Sequence, residues 1–375
     1  MSSATTAPVG PPAPSAPSGR TGRLTALDWA RGIAVLANLT VIAVLPPVPD
    51  QLRHAPWEGV RVMDLVFPSF VVLAGAGLAF AYAHRSRPLV VLRRSLVLWA
   101  CGLLYNGVLL DWPPLEEFRL MGPLQLYAVL VPVVALLSTR LRTPRHWGVA
   151  LTVALAGTIT LHRVWAARCG GLTPECNPSR SIDLPWMGQH AYHAGAAGHD
   201  PEGLVALSGA LVTAGVGLVA GAWLRDLRGE PGAARRITQR VLVLVGLCVA
   251  GSVLLQLLGL PAVKRIWTPS FALLTAVPGV LVLLAAYLVF DARSRASEGV
   301  LVRVPVALGR NALLGYFGSH VALHWARSGE RSLADRIVDL GGGGDPGRWL
   351  YGVVFVGVWV ALAVLLARWR IYVRP

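Results

Sequence analysis

His54 and Asp64 stand ten residues apart, the first in the polar connection HAPWEG and the second at the head of the apolar run DLVFPSFVVLAGAG. A histidine of near-neutral pKa can take a proton from an attacking amine or hydroxyl, and a carboxylate can orient it. That is the chemistry acyl transfer demands. In such a reaction His54 acts as general base, or as the nucleophile of a transient acyl-histidine, with Asp64 as its partner. Asn38 and Asn311, both inside apolar runs, are candidate donors to the carbonyl oxygen that gains charge. The plain alternative for His54 is a solvated loop histidine. Pro68 removes one N–H from its helix and so frees a carbonyl near Asp64.

Other polar groups fall where a bilayer would not tolerate them unpaired. Asn106, Gln125 and His320 lie in or at apolar runs, where they line a polar cavity or bond neighbouring helices. Asp28 and Arg31 are three apart on one helix face, which reads as a local ion pair near the interface. His190, His193, His199 and Asp200 form H-x2-H-x5-H-D, with enough donors for a metal but a spacing that matches no regular zinc pattern, so no metal is expected. Cys169 and Cys176 share the loop CGGLTPEC and are the one pair placed to form a disulfide; two free thiols are the other reading, and the outcome depends on whether that loop faces an oxidising side. Gly217 and Gly221 form a GxxxG pair, a helix-packing signature.

The elements that position these groups follow from composition. Apolar residues make up 54% and charged residues only 14%, with a mean hydropathy of +0.57. So little charge cannot cover a soluble surface, whereas lipid accepts apolar side chains on every side. Apolar runs of spanning length recur at 26–46, 60–83, 90–110, 121–138, 147–162, 203–224, 240–260, 266–290, 302–325 and 349–367. They predict an all-α, polytopic membrane bundle of about ten transmembrane helices. Residues 1–24, rich in proline and small residues, read as a disordered cytoplasmic tail; 25–375 form one transmembrane domain with an external loop at 163–202.

Positive charge is retained in the cytoplasm during insertion. With the amino terminus inside, and arginines near the span ends counted with the side they adjoin, the inner segments hold 20 basic and 4 acidic residues and the outer loops 12 and 13, so both termini are expected to be cytoplasmic. The net charge of +15 does not point to nucleic acid, because the arginines sit in short clusters without a basic groove or interleaved aromatics. Lys264 is the only lysine among the 34 basic residues. The expected location is a cell membrane, of the bacterial plasma-membrane kind.

RLTALDWARG (23–32), RHAPWEGVRVMDLVFPSF (53–70), LLYNG (103–107), RLMGPLQL (119–126), HDPEGL (199–204), IWTPSF (266–271) and GRNALLGYFGSH (309–320) occur in one order. In that order they resemble the heparan-alpha-glucosaminide N-acetyltransferase family and its bacterial relatives, broadly the transmembrane acyltransferases. The resemblance implies that His54 is catalytic, that the donor is cytosolic acetyl-CoA, and that an amino sugar on the other side is the acceptor. It also implies a possible homodimer. Two positions depart from the family pattern: Ile42 stands where Asn is usual and Leu126 where Arg is usual.

Coenzyme A carries several phosphate charges, so its site should be basic and on the inner face. Arg93 and Arg94, or Arg235, Arg236 and Arg240, are the candidates; topology signalling is the plainer reading of both clusters. The expectation is therefore an acyltransferase moving acetyl from acetyl-CoA to an amine or hydroxyl acceptor at the outer face. A transporter or flippase for a small or lipid-linked molecule, and a non-catalytic membrane scaffold, are the rival readings.

Overall fold

The computed structural model describes residues 24–83, 87–292 and 299–373; the expected tail at 1–24 lies, but for Leu24, outside them. In chain order the helices are α1 (Thr25–Ile42), α2 (Val62–Ala81), α3 (Pro88–Leu109), α4 (Pro123–Ser138), α5 (Pro144–Cys169), the short α6 (Pro178–Ile182) and α7 (Leu184–Met187), α8 (Leu204–Leu227), α9 (Ala233–Leu257), α10 (Pro269–Ala286), α11 (Val300–Arg310), α12 (Ser319–Arg327), α13 (Leu333–Leu340) and α14 (Gly344–Arg368). No strand forms among the described residues. Helices satisfy every internal backbone group without water, which is why apolar segments of this length adopt them in a bilayer. Prolines open α3, α4, α5 and α10, where a missing N–H costs nothing.

All ten expected segments are helical, but not all are simple spans. Eight helices are long and apolar enough to cross a membrane. The fourth, α4, has 16 residues, short of the roughly 20 that cover the hydrocarbon. The ninth is broken: α11 and α12 meet at an 85° bend, with a π-turn over Leu314–Gly318 between them. The loop expected at 163–202 begins later, because α5 runs on to Cys169 before Gly170 ends it in the left-handed conformation (φ 69°).

α8 forms the centre, with 83% of its apolar window buried, whereas α5 and α3 bury 11% and 17% and face lipid. A helix apolar on every face is stable in the middle of the bundle only if its neighbours come close. The GxxxG pair does this: a Cβ on Gly217 would lie 2.0 Å from the Val72 carbonyl oxygen of α2, and one on Gly221 2.6 Å from that of Ala76. Gly75 of α2 answers from the other side, 2.1 Å from the Ala214 oxygen by the same measure. The α1–α11 pair is as close at Gly32 and Gly309.

Two outcomes test this architecture. Gly217→Ala should force α2 from α8 and cost about 1–3 kcal/mol or more, read as a lower unfolding temperature in detergent; Gly246→Ala, where a Cβ meets nothing within 4 Å, should leave it unchanged. For orientation, Glu175→Cys should react with an impermeant thiol reagent in intact cells, and Glu230→Cys should react only after permeabilisation. Labelling of Glu230→Cys from outside would reverse the expected orientation.

Candidate active site

Asp64 occupies the first turn of α2 with its side chain fully buried. Its Oδ2 accepts backbone N–H bonds from Ala55 (3.1 Å) and Arg61 (3.0 Å), which folds the loop that carries His54 back onto the helix end. Oδ1 is left for His54, whose Nδ1 lies 2.8 Å away. With its proton on Nδ1, His54 donates to Asp64 and keeps its lone pair on Nε2, the tautomer that prepares a histidine as a base. The His54 side chain keeps 38% exposure, enough to meet a substrate.

A third group completes the centre. Gly59 N–H donates to the Ala262 oxygen (2.8 Å) and Glu58 bridges to Val263, bringing the turn between α9 and α10 against the His54 loop. Lys264 Nζ then lies 2.8 Å from Nδ1, 3.2 Å from Nε2 and 3.4 Å from Asp64 Oδ1. Burial, with the charges of Lys264 and Arg265, holds His54 below its ordinary 6.5 against the opposing pull of Asp64. His54 is thus a neutral imidazole at pH 7. The turn is held from behind by the buried His162 of α5, with Nε2 3.2 Å from the Ile266 oxygen, and by Trp267, whose Nε1 donates to Thr213 of α8 (3.0 Å).

The long loop covers this centre from one side. Cys169 and Cys176 are joined in a disulfide, and inside the closed loop the Leu172 oxygen accepts Trp57 Nε1–H (2.8 Å), three residues from His54. The ring of His199 meets Trp57 edge-on at 5.4 Å. Arg119, ahead of α4, pairs with Glu202, approaches Asp200 at 3.8 Å and lies over the Tyr192 ring. Asn106 fixes the Arg119 segment by donating to the oxygens of Arg119 (3.0 Å) and Met121 (3.1 Å). His190 bonds the Phe118 oxygen and His199 that of Ala197; among the described residues no group of three or more His, Cys, Asp or Glu is arranged to hold a metal ion.

From the opposite side a cavity of about 1260 Å³ approaches the centre. Its lining runs along α2 from Phe67 to Ala81, about 21 Å at 1.5 Å per residue. Asp64 sits one turn beyond its far end. The end towards the arginine-rich face is lined by Arg94, Arg142, Arg225 and Arg228, with Arg31 and Arg310 deeper along α1 and α11. Arg94 and Arg142 make no ion pair among the described residues. The far end is aromatic: Phe67 packs against Tyr127 (6.0 Å), Trp267 (5.8 Å) and Tyr316 (6.1 Å).

The expected site residues divide accordingly. His54 and Asp64 come together. Asn38 is buried on α1 with its Nδ2 unpartnered, and Asn311 holds the backbone of Ile371 and Val373 through its amide (3.3 and 2.8 Å); neither bonds His54. Of the arginine candidates only Arg94 lines the cavity. Arg93, Arg235 and Arg240 are exposed on outward faces of their helices, and Arg236 pairs with Glu230 at 2.7 Å. Asp28 reaches Arg310 at 3.5 Å, while Arg31 donates to the Leu73 oxygen of α2 (3.3 Å), across the space that Gly77 leaves empty. Lys264 went unassigned in the sequence reading, although it is the chain's one lysine and stands two residues before IWTPSF.

Residues 23–190 match the sequence family described as heparan-alpha-glucosaminide N-acetyltransferase, catalytic. No curated protein matches the chain. The matched stretch carries His54, Asp64 and Arg119 and stops short of Lys264 and the bent α11–α12 pair. The matched stretch, 168 of the 375 residues, is similar to that acyltransferase family and carries the His54–Asp64 pair within the all-helical architecture.

Proposed function

We propose that the protein transfers an acetyl group from acetyl-CoA, entering from the cytosol, to an amine or hydroxyl acceptor on the other side of the membrane. The observation that carries this reading is the approach of the cavity to the His54–Asp64 pair. A cavity with a cationic end runs along α2 to within one turn of a buried carboxylate, and that carboxylate orients a neutral, partly exposed histidine.

The cavity fits the donor in chemistry and in size. At 1260 Å³ it exceeds the roughly 300–1,000 Å³ of most small-molecule sites. Arg94 and Arg142, unpaired among the described residues, would hold the phosphates, with Arg225 and Arg228 beside them. An intramembrane arginine such as Arg31 is costly unless it serves a pathway. The acetyl thioester would lie against the aromatic end. The acceptor would enter between the His54 loop and the segments that carry Arg119 and Glu202, an amino-sugar-like molecule being what the family implies.

The chemistry follows from the hydrogen bonds. His54 Nε2 takes the acceptor's proton as the new bond to the acetyl carbon forms, and Asp64 steadies the imidazolium. Lys264 keeps the resting imidazole neutral, and as His54 gains charge its ammonium must turn towards Asp64 Oδ1, 3.4 Å away. The C–S bond breaks, and the thiolate takes up the proton.

Coenzyme A release by purified protein in liposomes, against amino sugars, amines and alcohols, tests the reading. Flux of a solute with no release would favour a transporter. His54→Ala should cut transfer by about 10²- to 10⁴-fold while acetyl-CoA still protects against unfolding. Asp64→Asn should lose less, and the double variant should be scarcely worse than His54→Ala because the two act as a unit.

Lys264→Met gives a signed pH test. The wild-type rate should fall on acidification through a His54 pKa below 6.5; without the Lys264 charge that pKa rises, so the acid limb should move to higher pH. A limb that stays in place would dissociate Lys264 from the base.

A further inference from the structure

Acyl transfer places negative charge on the thioester oxygen, and a donor must meet it. Neither expected asparagine is arranged to do so beside His54. The aromatic end of the cavity holds another kind of donor. Tyr127 of α4 and Tyr316 of the π-turn both line it, and neither hydroxyl makes a hydrogen bond among the described residues. Neither is among the polar atoms sealed from all access, so both open onto the cavity.

Tyr316 is the better held of the two. Its ring is packed by Phe70 (5.0 Å), Phe317 (4.7 Å) and His320 (4.8 Å), and by Phe67, one turn from Asp64 (6.1 Å). It stands in the π-turn that follows the 85° break, whose backbone is held by the Asn311 oxygen accepting Gly315 N–H (2.8 Å) and by the Tyr316 oxygen accepting from Ser319 and His320. π-turns interrupt helices mostly at functional sites, and unwound segments in membrane proteins persist where they line a cavity. The Tyr105 ring of α3 meets Phe317 (5.2 Å) and His320 (6.4 Å) beside it, and Glu202, the partner of Arg119, is within electrostatic reach of Tyr316. A rigid phenol that points into the donor cavity and lies near the acceptor side can serve the point where the two substrates meet.

We propose that Tyr316 is a catalytic residue whose hydroxyl donates to the thioester oxygen as the acceptor attacks. The assignment rests on the acyltransfer reading above. As the acceptor's lone pair forms its bond to the acetyl carbon, the carbonyl π pair moves onto oxygen and is met by the Tyr316 O–H. When the carbonyl re-forms, the C–S pair leaves as thiolate, and the proton carried by His54 Nε2 passes to sulfur. Tyr316 itself loses no proton.

The test is Tyr316→Phe, which removes one oxygen and keeps the ring contacts, compared with Tyr127→Phe in liposome-reconstituted full-length protein. For Tyr316→Phe, kcat and kcat/KM for acetyl-CoA should fall together by about 10²- to 10³-fold, as for loss of a donor used in the transition state alone. KM, acetyl-CoA protection against unfolding and the acid limb set by His54 should not move. Tyr127→Phe should lose less than about tenfold, short of the roughly 10²-fold at which the range for a catalytic group begins. Unchanged kcat in Tyr316→Phe, a rise in KM alone, or a larger loss in Tyr127→Phe each overturns the assignment. If His54→Ala is inactive in the same assay while Tyr316→Phe is not, only this inference fails; if wild-type protein releases no coenzyme A with any acceptor, both fail.

Discussion

A carboxylate with no exposure to solvent, Asp64, organises everything around it. A buried charge must be compensated on every side or it will not stay charged. Asp64 meets that requirement with two backbone N–H groups, an imidazole and an ammonium, drawn from its own helix end, the loop before it and a turn some 200 residues later in the chain. Satisfying one anion thus fixes the loop conformation, the histidine tautomer and the place where α9 turns into α10. The geometry of the candidate site and the fold of this end of the bundle are the same set of hydrogen bonds.

The rest of the bundle makes room for a polar path without exposing backbone to lipid. Small residues bring α2 against α8 and α1 against α11, so space is removed where helices only pack. It is retained beside α2, where arginines and aromatics face each other across the cavity. Gly77 shows both uses at one residue: it leaves a gap in α2, and Arg31 fills that gap to reach a backbone oxygen. A cation deep in the bundle is thereby hydrogen-bonded yet still borders the cavity.

Much of this was legible in the residues. Helical class and the positions of all ten segments follow from apolar runs, because the length of a span is set by the bilayer. The His54–Asp64 pair was legible because the ten-residue separation matches a loop returning to its helix end. Lys264 was not, since a turn 210 residues away is placed by backbone bonds that carry no side-chain signature. The break before Tyr316 was hidden for a related reason: residues 302–325 read as one mainly apolar run, and hydropathy does not distinguish a straight span from one bent by 85°. The arginine clusters were ambiguous because charge at a helix end also reports topology. Arg93 and Arg94 are neighbours in sequence, but successive residues point about 100° apart around a helix, so only one reaches the cavity. At Leu126, where the family pattern has arginine, the side chain is fully buried among apolar neighbours, so this chain has given that position to packing.

The disulfide between Cys169 and Cys176 closes a loop whose Leu172 carbonyl holds Trp57, and Trp57 shares its short segment with His54. The donor cavity uses none of these atoms. The two halves of the reaction centre are therefore completed under different chemical conditions. The cationic half is built from the packed helices alone, whereas the half that meets the acceptor on the proposed reading also borders a loop closed by oxidised thiols. On the expected topology that happens only after the loop has crossed the membrane, so the fully braced His54 segment would be confined to the compartment that contains its acceptor.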